Sequence, residues 1–270
     1  MAQEKFTLIA KATSIWLIFQ GLFFTFGAIG FLVPKWALAI VFGGFLSAVM
    51  LYITSLYLKN DTLTKSELGM SFTINSLKRG VTSFIIGTSF FGFFYLCYLG
   101  LTPVTILLVE QPDFINSTVI SLFSFIALGA MEEIVFRGYF MRKLDTAIGI
   151  RAAIYVTSIA FGLYHGLVFD SITGPAIWGL VYAALAYWTK GLAIPIGFHI
   201  GVNYIQALFS QKEKWVSGIW YFDLQEETAI FTVEQVSIGL KVFMLLLGVA
   251  LVEYYLRKVR NNNIKAIQQL

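Results

Sequence analysis

The chain has 270 residues, 58% hydrophobic and 13% charged, with a mean hydropathy of +0.77 and a net charge of +4. A soluble domain carries about 25% charged residues, so this composition excludes one, and lipid must cover much of the apolar surface. The basic residues lie in short connecting segments without forming a basic face, which argues against a nucleic-acid partner. Cys97 is the only cysteine. An intrachain disulfide and thiolate metal clusters are therefore excluded, and within the aromatic run from Phe90 to Tyr98 a buried, inert thiol is expected.

A membrane span needs about 20 mostly apolar residues. Eight segments qualify, at about 12–33, 36–58, 81–101, 115–136, 152–169, 172–188, 192–209 and 236–256. Lys5 and Lys11 before the first of them give it the look of a signal peptide. The run is too long for a signal core and is read as a retained span. Very short links at 34–35, 170–171 and 189–191 make their neighbours antiparallel. There is no internal repeat and no linker. The expectation is an all-α, polytopic transmembrane bundle of about eight spans, one integral domain over residues 1–270, with a catalytic core at about 115–210.

Basic residues mark the cytoplasmic side of membrane proteins. With the N-terminus in the cytoplasm, fifteen lysines and arginines fall on that side, among them Lys11, Lys65, Arg137, Lys143, Lys190 and Lys265. Lys35, Lys212 and Lys214 fall outside, and Lys241 lies in the last span. Both termini are therefore expected in the cytoplasm. Residues 64–79, with Leu68, Met70, Phe72, Ile74 and Leu77, are expected to lie on the cytoplasmic interface. Residues 210–235 hold Trp215, Trp220, Tyr221 and Phe222, which suit an aromatic belt at the headgroups.

Ionisable groups at membrane depth are costly and usually functional. Here they are Glu132, Glu133, Arg137, His165 and His199, with Asn203 one turn beyond the last. Consecutive helical residues point about 100° apart, so the two glutamates cannot face one site equally. Glu133 and Arg137 are four apart and can pair, which leaves Glu132 freer to meet water. A helix C-terminus favours cations, so a glutamate pair is poorly explained as a cap. His199 and Asn203 also share a face, and an amide and an imidazole both suit an oxyanion. Pro195 and Gly197 suggest a loosened backbone lining a cavity. For each histidine alone, a structural hydrogen bond between helices is the competing reading.

Depth, counted at about 1.5 Å per residue from the nearest basic residue, puts Glu132 about 8 Å and His199 about 14 Å below the cytoplasmic surface. His165 comes out about 21 Å deep. Either residues 144–153 include an interfacial stretch or the fifth helix is tilted.

The motifs Glu-Glu-x-x-x-Arg, Phe-x-x-x-His and His-x-x-x-Asn on successive apolar helices resemble those of the CAAX protease and bacteriocin-processing (CPBP, or Abi) intramembrane proteases. That family includes the Ras-converting prenyl-protein endopeptidase. The motifs fall on Glu132, Glu133 and Arg137; Phe161 and His165; His199 and Asn203, within about residues 120–210. The first two spans look like peripheral additions. The resemblance implies a helical core around a cytoplasm-facing intramembrane cavity, and hydrolysis of a peptide bond in a membrane-bound peptide or protein. It implies Glu132 as general base with His165 orienting water, His199 and Asn203 as oxyanion stabilisers, and Glu133 and Arg137 as support.

Glu132, His165 and His199 could instead hold one divalent metal such as zinc. There is no pair of ligands on one helical face to favour that, so metal-free and metal-dependent chemistry both stay open, and many relatives are called metalloproteases. Relatives are linked to bacteriocin maturation, self-immunity and peptide-signal processing, and the small size suits a prokaryotic plasma-membrane member. The competing readings are a non-proteolytic membrane immunity or interaction protein and a proton-relaying transporter. The latter is expected to show two related halves, which the sequence lacks.

Overall fold

The computed structural model describes residues 2–61, 64, 66–70, 73–213, 216–225 and 229–268. Lys65, Phe72, Lys214 and Trp215 lie outside the described residues. Among the described residues, eight helical rods stand where the eight apolar segments were expected. The first is α1 (Ala2–Ile29). The second joins α2 (Lys35–Ile40) through a π-helical stretch, Val41–Leu46, to α3 (Ser47–Lys59). The third is α4 (Ile74–Leu101). The fourth runs from a π-helical start at Ile115–Ile120 into α5 (Ser121–Glu133). It continues through a second π-helical stretch, Ile134–Phe140, into α6 (Met141–Ile148). Then follow α7 (Ile150–His165), α8 (Phe169–Thr189), α9 (Ala193–Leu208) and α10 (Val233–Gln268).

Large apolar side chains point outward as well as inward. Phe93, Leu96, Ile159 and Leu246 are exposed, an outer surface suited to lipid rather than water. The rods Ala2–Ala28, Ile74–Leu101, Ile115–Ile148 and Val233–Asn262 are each long and apolar enough to cross a membrane. The protein is thus a helical membrane bundle.

One element was not foreseen. β1 (Val104–Leu108) and β2 (Trp220–Leu224) form an antiparallel ribbon with Val104 opposite Leu224. Phe222 and Trp220 on β2 pack against Phe209 at the end of α9. They therefore serve the protein's own packing, and not only a headgroup belt.

Small residues bring α9 against α4. A Cβ on Gly197 would strike the carbonyl of Gly80, and one on Gly201 the carbonyl of Phe84. Ser83 Oγ donates to the Ile194 carbonyl at 2.8 Å. Close backbone approach of this kind holds helices together in lipid. Gly197 is thus a packing contact within a continuous helix, and Pro195 sits in the first turn, where its missing N–H costs little. The loosened backbone expected there is absent. The same geometry aims the site, because residues two apart on a helix differ by about 200°. With Gly197 and Gly201 against α4, His199 and Asn203 face the other way.

Ion pairs gather at one end of the bundle. Asp61, just after α3, receives Lys11 from α1 at 2.8 Å and Lys143 from α6 at 3.0 Å. Tyr139 Oη donates to it at 2.6 Å. Nearby, Arg79 reaches the Thr189 carbonyl, Arg142 lies over Tyr187, and Arg151 pairs with Glu253. We call this the basic end. Burial by itself would raise the Asp61 carboxyl, but hydrogen bonds from Lys11, Tyr139 and Lys143 outweigh it and hold the carboxyl below the ordinary aspartate range. A carboxyl lowered by folding stabilises at neutral pH, and that stabilisation is lost as pH falls through its folded value. Asp61→Asn should therefore lower the thermal midpoint at pH 7, with the difference from wild type shrinking below about pH 4, as pH-dependent melting in detergent would show.

Two expectations are corrected here. The fourth rod does not end near Phe136 but runs on to Ile148, and Arg137 is buried inside it at 1% exposure. Arg137 therefore neither marks the membrane surface nor counts as a loop charge. The depths also reconcile. Counted from the shared turn at Gly149, Glu132 and His165 both lie about 24–26 Å along their helices. Residues 141–148 are the amphipathic extension that made His165 look too deep. Secondly, the N-terminal helices are not peripheral. Trp16 Nε1 donates to the Ala160 carbonyl at 3.1 Å, and Phe23 packs on Tyr164 and reaches within 6.4 Å of the His165 ring.

Candidate active site

The switch from α-helix to π-helix falls right after Glu133. Such bulges widen a helix by one residue and often occur at functional sites. Here the switch faces the inner turns of α7, α8 and α9.

The two glutamates meet one imidazole. His199 Nδ1 is 2.9 Å from Glu133 Oε1, and His199 Nε2 is 3.5 Å from Glu132 Oε2. The same Glu133 oxygen accepts from Arg137 Nη1 at 3.1 Å. Arg137, Glu133 and His199 thus form a continuous buried chain. The i, i+4 ion pair expected from spacing is present, and both glutamates nonetheless reach the same group, one at each ring nitrogen. An imidazole can do this because its two nitrogens point to opposite sides.

Aromatic rings complete the enclosure. Tyr182 stacks on His199 with centroids 4.4 Å apart. The Arg137 guanidinium lies 4.3 Å over the Phe161 ring, and Nη2 donates to the Gly179 carbonyl at 3.3 Å. Phe161 also meets both histidines edge-on, at 4.6 Å for His165 and 5.9 Å for His199. The phenylalanine of the second motif is therefore the wall that spaces the two imidazoles. Tyr182 and Gly179 were missed in the sequence. They come from α8, and nothing in their spacing links them to His199.

His165 Nδ1 is 2.8 Å from the Phe161 carbonyl. A carbonyl only accepts, so Nδ1 carries the proton and Nε2 keeps a lone pair for the site. Asn203 lies one turn beyond His199, half-buried, with no hydrogen bond to another described residue. Glu133 Oε2 and the Tyr164 hydroxyl are buried without a hydrogen-bond partner among the described residues. Apolar cavities of about 740 Å³ between α4, α5 and α9, and about 890 Å³ beside α8 and α10, are not lined by any of the seven motif residues.

Metal fit can be tested on the donor set. Both histidines have Nδ1 engaged by an acceptor, as metal-bound imidazoles do. Yet among the described residues no three His, Cys, Asp or Glu side chains are placed to share one ion. The group Glu132, His165 and His199 does not fit as a three-ligand site in this arrangement.

The fold and the cluster define a membrane bundle with a buried carboxylate–imidazole centre, a class suited to activating water away from bulk solvent. Residues 114–205 match the family described as Type II CAAX prenyl endopeptidase Rce1-like. The match supports the CAAX protease family that the motifs resemble, and with it a protease of CAAX type in general. No curated protein and no solved structure matches the chain.

Proposed function

We propose that the protein is an intramembrane endopeptidase that hydrolyses a peptide bond of a membrane-associated peptide or protein, within a bundle whose eight rods all cross the bilayer. The observation that carries this reading is the carboxylate–imidazole cluster of Glu132, Glu133 and His199, buried within the segment that matches the family. Water is held between Glu132 and the free Nε2 of His165. Glu132 takes its proton as the oxygen attacks the scissile carbonyl. The developing oxyanion accepts hydrogen bonds from the Asn203 amide and from His199 Nε2–H. That last role requires the doubly protonated imidazole, with Nδ1–H on Glu133. Proton return from Glu132 to the leaving amine completes the cut.

The chemistry we propose uses glutamate without metal, as the donor placement supports. Cleavage should persist, within about twofold of the untreated rate, when the purified protein is incubated with a strong chelator of divalent ions. Loss of activity restored by zinc would overturn this part.

The experiment for the whole reading compares peptide termini in membranes of cells expressing wild type or Glu132→Ala at matched levels. New termini confined to wild type establish proteolysis and name substrate and cut site. Identical termini across growth conditions favour the second reading, a non-proteolytic membrane immunity or interaction protein of the same fold.

A further inference from the structure

Three polar atoms where α1 meets α7 have no role in the chemistry above. They are the Tyr164 hydroxyl and both amide atoms of Gln20, all buried and without a hydrogen-bond partner among the described residues.

Tyr164 precedes His165 in the last turn of α7 and is 0% exposed. Phe23 from α1 packs on its ring at 4.4 Å, Phe136 meets it at 5.4 Å, and the His165 ring lies 5.3 Å away. The ring is thus fixed beside the cluster, and Tyr164 lies within electrostatic range of Glu132. Gln20 follows Trp16 by four residues and precedes Phe23 by three on α1. Residues so spaced share one helix face. Trp16 donates to the Ala160 carbonyl and Phe23 packs on Tyr164. The face that carries Gln20 is therefore the one laid on the Ala160–Tyr164 turn of α7.

A buried polar group without a partner is destabilising, and native interiors satisfy such groups with protein or with ordered water. A buried water makes about three hydrogen bonds to groups that otherwise lack a partner. An amide donor, an amide acceptor and a hydroxyl are such a set.

The attacking water has a matching need. It has two hydrogens and two lone pairs. Glu132 and Nε2 of His165 accept the hydrogens, and one lone pair faces the scissile carbonyl. The remaining lone pair calls for a donor. Arg137 is engaged by Glu133 and the Gly179 carbonyl, and His199 and Asn203 serve the oxyanion. The Tyr164 hydroxyl is a neutral donor held next to His165.

We propose that Tyr164 is a further catalytic residue whose hydroxyl donates to the water that Glu132 activates, and that Gln20 is a positioning residue holding a second water that donates to the Tyr164 oxygen. This rests on the protease reading above. It brings α1, which lies outside the matched residues 114–205, into the site. Tyr164 keeps its proton throughout, so the transfers through Glu132 are unchanged.

The first measurement needs no activity. The full chain in detergent is exposed to X-ray radiolysis in ¹⁸O-labelled water, which oxidises side chains that touch water. Exposed Tyr52 should be labelled and buried Phe19 should not. Tyr164 should be labelled despite its burial. Tyr164 left unlabelled while Tyr52 is labelled overturns the water site, whether or not the chain is a protease. The second measurement uses the substrate peptide named by the comparison of termini. Tyr164→Phe should lower kcat about 10- to 100-fold with KM within about twofold, and Gln20→Leu should lower kcat by less. Neither variant should lower the thermal midpoint, because each removes polar atoms that have no protein partner. Unchanged kcat in Tyr164→Phe overturns its catalytic role. A fall in kcat accompanied by a fall in thermal midpoint assigns the hydroxyl to packing and overturns it as well.

Discussion

Glu132→Gln will abolish cleavage while leaving the protein inserted and folded. Glu132 is 6% exposed and, among the described residues, its one ion-pair contact is His199 Nε2 at 3.5 Å. It takes no part in the Arg137–Glu133 pair, so the bundle does not depend on its charge. Glutamine keeps the volume and removes the basic oxygen. Loss of a general base costs about 10²–10⁴-fold, and the slower rate should fall below detection in membranes. The thermal midpoint should match wild type. Retained cleavage in a well-folded Glu132→Gln protein would remove Glu132 from the mechanism and leave His165 as the candidate base.

Arg137→Ala and Glu133→Ala should behave in the opposite way, failing first in stability. Arg137 neutralises Glu133, donates to the Gly179 carbonyl and covers the face of Phe161. Removing one member of a buried ion pair strands the other and costs about 3–5 kcal/mol. That is a large part of a total stability of about 5–15 kcal/mol. Arg137→Lys should rescue little, because a point charge cannot stack on Phe161 and bridge to Gly179 together. Folded yield and thermal midpoint in detergent would show both effects. A stable Arg137→Ala protein that has lost only activity would mean that the chain acts in chemistry and not as support.

Much was legible before any coordinates. Each of the eight apolar segments became a helical rod, because lipid demands unbroken internal backbone hydrogen bonding and the sequence shows this as long apolar runs. The three motifs were legible because ionisable groups are scarce in such runs. The four-residue spacing of Glu133 and Arg137 was enough to predict their contact, since helix geometry alone brings such residues together.

Other features depended on contacts between distant segments. The ribbon of β1 and β2 joins segments more than a hundred residues apart, and no local periodicity announces that pairing. Arg137 looked like a loop charge because sequence shows a basic residue but not its partner, and only the packing of α8 reveals that it is buried. Phe23 and Tyr182 entered the site from helices without a motif. The sequence by itself determined which residues could do chemistry and on which helices they sit, because polarity and period are local properties. Only the tertiary structure decided that both glutamates converge on one imidazole and that Arg137 is buried behind them. Those depend on how glycine-lined helices pack, and that is a property of pairs of surfaces.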